Sequence, residues 1–307
     1  MKLSGKIKIS VIVTVFNEED NISFLLNSLT RQTLKPSEII IVDGGSTDHT
    51  WAILQKNKSI KSYLKIGNRS VGRNLAISKS KSPIIAITDA GCIPDSNWLE
   101  ELTKPFRYEK VQVVSGYYRG AYQNIFQKCL IPYVLVMPDQ AGKTEFFPST
   151  RSMALRKPVW LKHKFNEQLW HNEDYAYSHI LKNNGISFFF APQALVTWQT
   201  RKNLQEAVWM FTRFAIGDIQ AGIIRPQVKL LAIRYFIFIY LFFLSLQIHI
   251  LFAPLLTLSL CYLVWSILKN YRYVQDFRAL FWLPILQITA DLSVLFGSLL
   301  GLLSRTV

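Results

Sequence analysis

Two short polar clusters, each directly following an apolar run, hold side chains suited to chemistry. Phe16, Asn17 and Glu18 follow Ile9 to Val15, and Asp43-Gly44-Gly45-Ser46-Thr47-Asp48 follows Glu38 to Val42. Phe16 offers an aromatic stacking face, and Asp43 offers an acceptor for the donor groups of a base or ribose. Together they suit a nucleotide. The first run is not followed by Gly-x-Gly-x-x-Gly, and the chain has no Walker-type Gly-x-x-x-x-Gly-Lys-Ser/Thr, so a dehydrogenase or P-loop reading is disfavoured.

The elements that must position these residues are legible around them. Ile9 to Phe16 is β-rich and apolar without helical spacing, which predicts a buried parallel strand. Asn17 to Asn21 is a polar cluster able to cap a helix and seed its first turn. Ile22, Leu25, Leu26 and Leu29 then predict an amphipathic helix over Asn21 to Gln32. Pro36 ends it and Glu38 to Val42 predicts a second buried strand. A right-handed crossover puts both strand ends on one sheet edge, where ligands bind in open α/β sheets. Phe16, Asn17, Glu18, Asp43 and Asp48 therefore share one crevice.

Val11-Ile12-Val13-Thr14-Val15-Phe16-Asn17-Glu18 followed by Val42-Asp43-Gly44-Gly45-Ser46-Thr47-Asp48 resembles the opening of an inverting family 2 glycosyltransferase. The resemblance implies an α/β GT-A fold, a Rossmann-like nucleotide-diphospho-sugar transferase domain. Farther along, Gly72-Arg73-Asn74 resembles the family segment whose arginine sits near the donor nucleotide; Arg73 is otherwise read as a solvated helix residue. Pro83 to Thr88 predicts a strand ending at Asp89-Ala90-Gly91-Cys92, where the family carries Asp-x-Asp. Asp89 matches the first aspartate and Gly91 replaces the second. A divalent cation, Mg or Mn, is implied with Asp89 as a ligand, and the substitution leaves the rest of its ligand set open. Asp95 could compensate, although capping the helix through Trp98, Leu99 and Leu102 is the preferred reading.

Phe146 to Arg156 resembles the segment that closes over the donor. Phe165-Asn166-Glu167 resembles the family's Gly-Gly-Phe-Asp-Glu, with His163-Lys164 replacing the glycines. Glu173-Asp174 then matches a Glu-Asp pair that opens a helix near the sugar. The resemblance implies Asp174 as the general base that takes the acceptor hydroxyl's proton, supported by Glu173. Both carboxylates would equally suit a helix N-terminus on electrostatic grounds alone. The nucleotide-sugar site is thus expected at Phe16, Glu18, Asp43, Arg73 and Asp89. Gln199 to Asn203 lacks the Gln-x-x-Arg-Trp of processive members, so addition of one or a few sugars is favoured over polymer synthesis.

The 307 residues carry 35 Lys and Arg against 20 Asp and Glu, and half are hydrophobic. That charge suits an anionic membrane surface better than nucleic acid, since basic residues flank the apolar segments. Cys92, Cys129 and Cys261 are too scattered for a metal or redox spacing and read as free thiols in a reducing compartment. Met1 to Phe16 imitates a signal peptide, but the acidic cluster after it supplies no cleavage site, so a cytosolic N-terminal domain is expected.

Beyond Gln199 the pattern changes. Leu204, Ala207, Val208, Phe211, Phe214, Ala215, Ile219 and Gly222 trace one helical face, of either an interfacial helix or a helix packed on protein. Residues 235–268 contain no Asp, Glu, Lys or Arg. As one helix they would be roughly 50 Å long against about 30 Å of bilayer core, which predicts a hairpin turning between Gln247 and Pro254. Arg225, Lys229 and Arg234 precede the run and Lys269, Arg272 and Arg278 follow it, placing both ends on the cytosolic side. Ala279 to Leu303 is a third candidate span, with Pro284 and Asp291 inside it. Expected divisions are a catalytic domain at 1–200, an amphipathic interface segment at 201–229 and a transmembrane region at 230–307, with spans near 231–248, 251–268 and 279–303. The sequence reads as a multi-pass membrane glycosyltransferase with a cytosolic catalytic domain, acting on a nucleotide sugar and a lipid-linked or membrane-proximal acceptor. The acceptor is either a polyprenyl phosphate or a growing lipid-linked oligosaccharide. A non-catalytic scaffold or sensor that binds nucleotide sugars is the alternative.

Overall fold

The structure, a computed structural model, describes residues 7–143 and 145–304. Residues 1–6 of the stretch that imitates a signal peptide lie outside the described residues. The chain folds as two compact units: residues up to Gly120 with Met137–Gln199, and Ala121–Val136 with residues from Thr200 onward.

The first unit is built on an eight-stranded mixed sheet. Its strands are β1 (Ile9–Val15), β2 (Glu38–Asp43), β3 (Lys61–Leu64), β4 (Ile84–Ile87), β5 (Cys92–Pro94), β6 (Val113–Ala121), β7 (Met153–Arg156) and β8 (Phe188–Gln199), in the order β3-β2-β1-β4-β7-β6-β8-β5. Strands β3, β2, β1 and β4 run parallel, and β7 joins β4 antiparallel, Ile87 opposite Met153. The apolar runs of β1, β2 and β4 are buried on both faces, as a parallel sheet between helices requires. Helices α1 (Ile22–Thr30), α2 (Thr50–Lys56), α3 (Arg69–Lys79) and α4 (Trp98–Thr103) alternate with the strands. The core gathers Ile12, Ile40, Val42, Ile77, Ile85, Leu155, Trp160, Phe165, Tyr177 and others.

Two local expectations are corrected. Ile186 to Phe190 predicts a last strand ending before Pro192, whereas β8 starts at Phe188 and runs on to Gln199. Pro192 is exposed and lies ahead of Val196 to Trp198, the stretch that pairs with β5, so its missing N–H removes no rung there. Asp95 does not cap α4 with its side chain; its carboxylate pairs instead with Arg119 at 3.1 Å.

The second unit is helical. It contains α5 (Ile125–Val134) and, after α6 (Lys157–Lys162) and α7 (Glu173–Asn183) of the first unit, α8 (Leu204–Gln220), α9 (Pro226–Gln247), α10 (Phe252–Val274) and α11 (Ala279–Leu303). A 3-10 turn over His249–Leu251 breaks the uncharged run within the expected window. Pro226–Gln247, His249–Val274 and Ala279–Leu303 are long and apolar enough to cross a membrane.

The face of α8 that carries Ala207, Phe211, Ala215 and Ile219 packs along α11. The approach is close because α11 presents glycines. A Cβ on Gly297 would lie 2.4 Å from the Thr212 carbonyl oxygen, and one on Gly301 would lie 2.8 Å from the Ile219 Cβ. Gly297→Val is therefore expected to push the helices apart and destabilise the unit by about 1–3 kcal/mol. The check is the thermal midpoint of the detergent-solubilised chain; an unchanged midpoint would contradict this packing.

Candidate active site

The carboxyl ends of β1, β2 and β4 open on one edge of the sheet. At the end of β1, Asn17 adopts a left-handed conformation with φ of 52°, tolerable for asparagine. Its side-chain oxygen accepts from the Thr47 amide at 2.8 Å, and its own amide donates to Ser46 Oγ at 2.9 Å. These bonds tie the Phe16–Glu18 turn to the turn after β2. In that second turn Gly45 takes a φ of 103°, which side-chain-bearing residues rarely adopt.

Asp43 is fully buried, and its Oδ1 accepts from the Gly45 and Ser46 amides at 2.9 and 2.7 Å. Its buried Oδ2 has no hydrogen-bond partner. A buried acceptor left unmatched is costly, and an N–H or ribose O–H from a ligand would satisfy it. Phe16 stands 58 % exposed, leaving a ring available for stacking. The Glu18 side chain accepts from Asn21 Nδ2 at 3.2 Å. Asp48 is taken up by the turn itself, accepting from the Glu19 and Thr50 amides.

The antiparallel entry of β7 brings Ser149 to Ser152 to the end of β4, where Thr88 Oγ1 donates to the Arg151 carbonyl at 2.9 Å. Here the charged residues form one network around Arg73, which is 1 % exposed. Its guanidinium donates to Glu173 Oε1 at 2.6 Å, to Asp89 Oδ1 at 2.9 Å and to Thr150 Oγ1 at 2.9 Å. Burial alone would lower the pKa of Arg73, but Glu173 and Asp89 outweigh it and raise it. Arg73 is thus not a solvated helix residue; it joins the end of β4 to the start of α7.

Asn172, again left-handed at φ of 55°, turns the chain into α7. Asp174 Oδ2 accepts from Ser149 Oγ at 2.8 Å and the Thr150 amide at 3.3 Å, and Oδ1 accepts from the Tyr175 amide at 2.9 Å. Burial would raise its pKa, but Arg151, Arg73 and the Ser149 hydroxyl together hold it below the ordinary aspartate value. Asp174 is therefore ionised at neutral pH and able to accept a proton.

Sequence reasoning singled out no role for Arg151, which belongs to this network. It donates to Ser149 Oγ at 3.2 Å, and its guanidinium lies 4.8 Å from the Trp198 ring centroid and 5.3 Å from that of Tyr118. The signal was a polar Ser149-Thr150-Arg151-Ser152 stretch interrupting apolar flanks. Its significance depended on β7 running antiparallel, which no local pattern specifies.

The arrangement accords with comparisons to known proteins. Residues 10–161 match Glycosyl transferase family 2. The chain carries a family 2 glycosyltransferase domain. Glycosyltransferase AglE of Haloferax volcanii is 33 % identical over 124 residues, 38 % of this chain and 41 % of that protein. UDP-Glc:alpha-D-GlcNAc-diphosphoundecaprenol beta-1,3-glucosyltransferase WfaP of Escherichia coli is 35 % identical over 95 residues, 30 % of this chain and 36 % of that protein. The chain thus matches about two fifths of the length of these relatives. S. aureus TarS 1–349 in complex with UDP-GlcNAc superposes with a TM-score of 0.53 at 18 % identity, covering 69 % of this chain and 66 % of that one. Glucosyl-3-phosphoglycerate synthase from Mycobacterium tuberculosis, in complex with Mn2+, UDP-Glc and phosphoglyceric acid, gives 0.50 at 17 % identity, covering 71 % and 81 %. The first unit has the GT-A fold.

Proposed function

We propose that the protein transfers a sugar, with inversion, from a nucleotide-sugar donor to a hydroxyl of a lipid-linked acceptor. The observation that carries this reading is the network joining Asp174, Thr150, Arg73, Glu173 and Asp89. It places an ionised carboxylate beside the end of β4, on the sheet edge that also holds the unmatched Asp43 acceptor. The donor base or ribose pairs with Asp43 and stacks on Phe16, with Glu18 at the same turn. The acceptor hydroxyl oxygen attacks the anomeric carbon as the bond to the nucleotide diphosphate breaks, and Asp174 takes the hydroxyl proton. Arg73 positions Glu173 and Asp89 rather than touching the donor, since it is buried under both.

Asp89 fits a divalent cation, Mg or Mn, in part. Its side chain is 31 % exposed, and Oδ2 has only the distant Thr150 hydroxyl, at 3.4 Å, as a partner. Among the described residues no group of three His, Cys, Asp or Glu is placed to hold a metal, so phosphate oxygens and water complete the ligand set. When bound, the cation would neutralise charge on the departing diphosphate. A Cβ on Gly91 would meet nothing within 4 Å, so the backbone leaves room to introduce the second carboxylate as Gly91→Asp. The variant is expected to lower the metal concentration for half-maximal activity by about tenfold, one additional carboxylate ligand contributing on the order of 1.4 kcal/mol. A metal titration of transfer checks this, and an unchanged midpoint would argue against a cation beside Asp89.

The second unit supports a membrane setting. Three helices are long and apolar enough to span, and basic residues gather at one end of the hairpin, Arg225, Lys229 and Arg234 at the start of α9 and Lys269 and Arg272 at the end of α10, which favours a cytosolic catalytic unit. The test is transfer of labelled sugar from a panel of nucleotide donors by the purified chain with native lipid extract and divalent metal. Label in the organic phase supports the reading. Donor binding without label in either phase favours the non-catalytic alternative.

A further inference from the structure

The second unit holds a polar cluster that sugar transfer does not explain. Asp291 of α11 is 6 % exposed, and its carboxylate gathers side chains from both helices of the hairpin. Oδ2 accepts from Arg234 Nη2 at 2.8 Å, from Tyr235 Oη at 3.1 Å and from Tyr262 Oη, and Oδ1 accepts from Gln287 Nε2 at 3.0 Å. One carboxylate is thus fully satisfied. Lys269 stands one step away, its ammonium 3.4 Å from Gln287 Oε1 and over the rings of Trp265 at 5.0 Å and Tyr133 at 5.7 Å. The cluster therefore carries two cations, Arg234 and Lys269, against a single anion.

The surplus charge has donors to offer. The hydrogen bonds of Arg234 to protein run through Nη2, to Tyr262 and Asp291, and its guanidinium lies 4.5 Å from the Tyr262 ring centroid; among the described residues its Nε and Nη1 make no hydrogen bond. Its side chain is 42 % exposed. Arg234 and Lys269 also bound the uncharged run 235–268, so they lie at the same end of the helical hairpin. A guanidinium fork and an ammonium at the margin of a bilayer, with only one carboxylate between them, leave a net positive charge and free N–H donors that favour an anion there. An oxygen-rich anion that resides in the bilayer fits both donors.

The geometry points to a binding site for a lipid phosphate at Arg234 and Lys269, which makes the acceptor a sugar linked to a long-chain lipid through phosphate. This deepens and rests on the transferase reading above. The Asp291 carboxylate orients the Arg234 fork, and Tyr262 and Tyr235 hold that carboxylate, so the phosphate meets a preset cation. The sugar hydroxyl remains free to be the nucleophile.

The test uses the full chain reconstituted into phosphatidylcholine vesicles doped with a polyprenyl phosphate, the matching neutral polyprenol or phosphatidylglycerol. Lipid retained after purification is measured by mass spectrometry. Polyprenyl phosphate is expected to be retained at least about tenfold over the other two, and Arg234→Gln or Lys269→Gln to reduce that retention about tenfold. Lys269→Gln leaves the Arg234–Asp291 pair intact, so the test stands even if Arg234→Gln fails to fold. Equal retention of polyprenol, equal retention of phosphatidylglycerol, or a folded Lys269→Gln variant that keeps the lipid would each overturn the site. Binding of a panel of nucleoside diphosphates is measured in parallel. If wild-type protein binds none of them the transferase reading fails, whereas lost lipid selectivity with nucleotide binding intact removes only this inference.

Discussion

Asp174→Asn is expected to lower kcat for transfer to a hydroxyl acceptor by about 10²–10⁴-fold, the usual contribution of a positioned general base. Donor binding should change little, because the amide keeps the Ser149 bond to one oxygen and the donor's base and ribose are proposed to meet Asp43 and Phe16 instead. Steady-state kinetics on one acceptor, with donor affinity measured separately, distinguish the two quantities. A near-silent substitution would mean that the acceptor atom is already ionised, as a phosphate oxygen is, and needs no base. The pH profile provides a second readout. The pKa of Asp174 is depressed by Arg151 and Arg73 despite burial, so its ionised form persists through neutral pH. Activity is therefore expected to stay level there and to fall only below the ordinary aspartate range. The sign for stability is the same: the depressed pKa contributes stability at neutral pH that is lost as pH falls through the folded value. An activity limb centred near neutral pH would assign the base to another group.

Much of this site was legible because its motifs sit where strands end. The run Ile9 to Val15 could only be a strand buried on both faces, and the acidic glycine turn after Val42 then had to share its edge. The hairpin was equally readable, since an uncharged run roughly 50 Å long as one helix must fold back in a bilayer core of about 30 Å, and the turn at His249–Leu251 falls where expected. What stayed hidden depended on contacts between segments distant in sequence. Arg73 resembled a residue that meets the donor, yet its guanidinium is enclosed by Glu173, Asp89 and Thr150, none of them neighbours in the chain. Arg151 gave no periodic signal because its place depends on the antiparallel β7. Asp291 was visible as a costly carboxylate in an apolar helix, but its partners Arg234, Tyr235, Tyr262 and Gln287 emerge only once three helices pack.

Arg73→Met is expected to destabilise the first unit by about 3–5 kcal/mol, the cost of leaving a buried charge without its partner. Glu173 is 4 % exposed and would lose a 2.6 Å charge-assisted bond, while Asp89 and Thr150 would lose theirs at the same time. The size of the effect should come from the stranded carboxylates more than from the lost guanidinium. Arg73→Met combined with Glu173→Gln should therefore recover part of the loss, making the pair non-additive. Arg73→Lys should fall between, since an ammonium keeps the charge but cannot fork to Glu173 and Asp89 with the same geometry. Thermal or denaturant unfolding of the wild type, Arg73→Met, Glu173→Gln and the double variant closes the cycle. Additive effects would show that Arg73 and Glu173 stabilise the fold independently. The same substitution also removes one of the cations that hold the Asp174 pKa down, so the acid limb of any residual activity should move to higher pH. A shift of that sign would tie the buried guanidinium to the base it never touches.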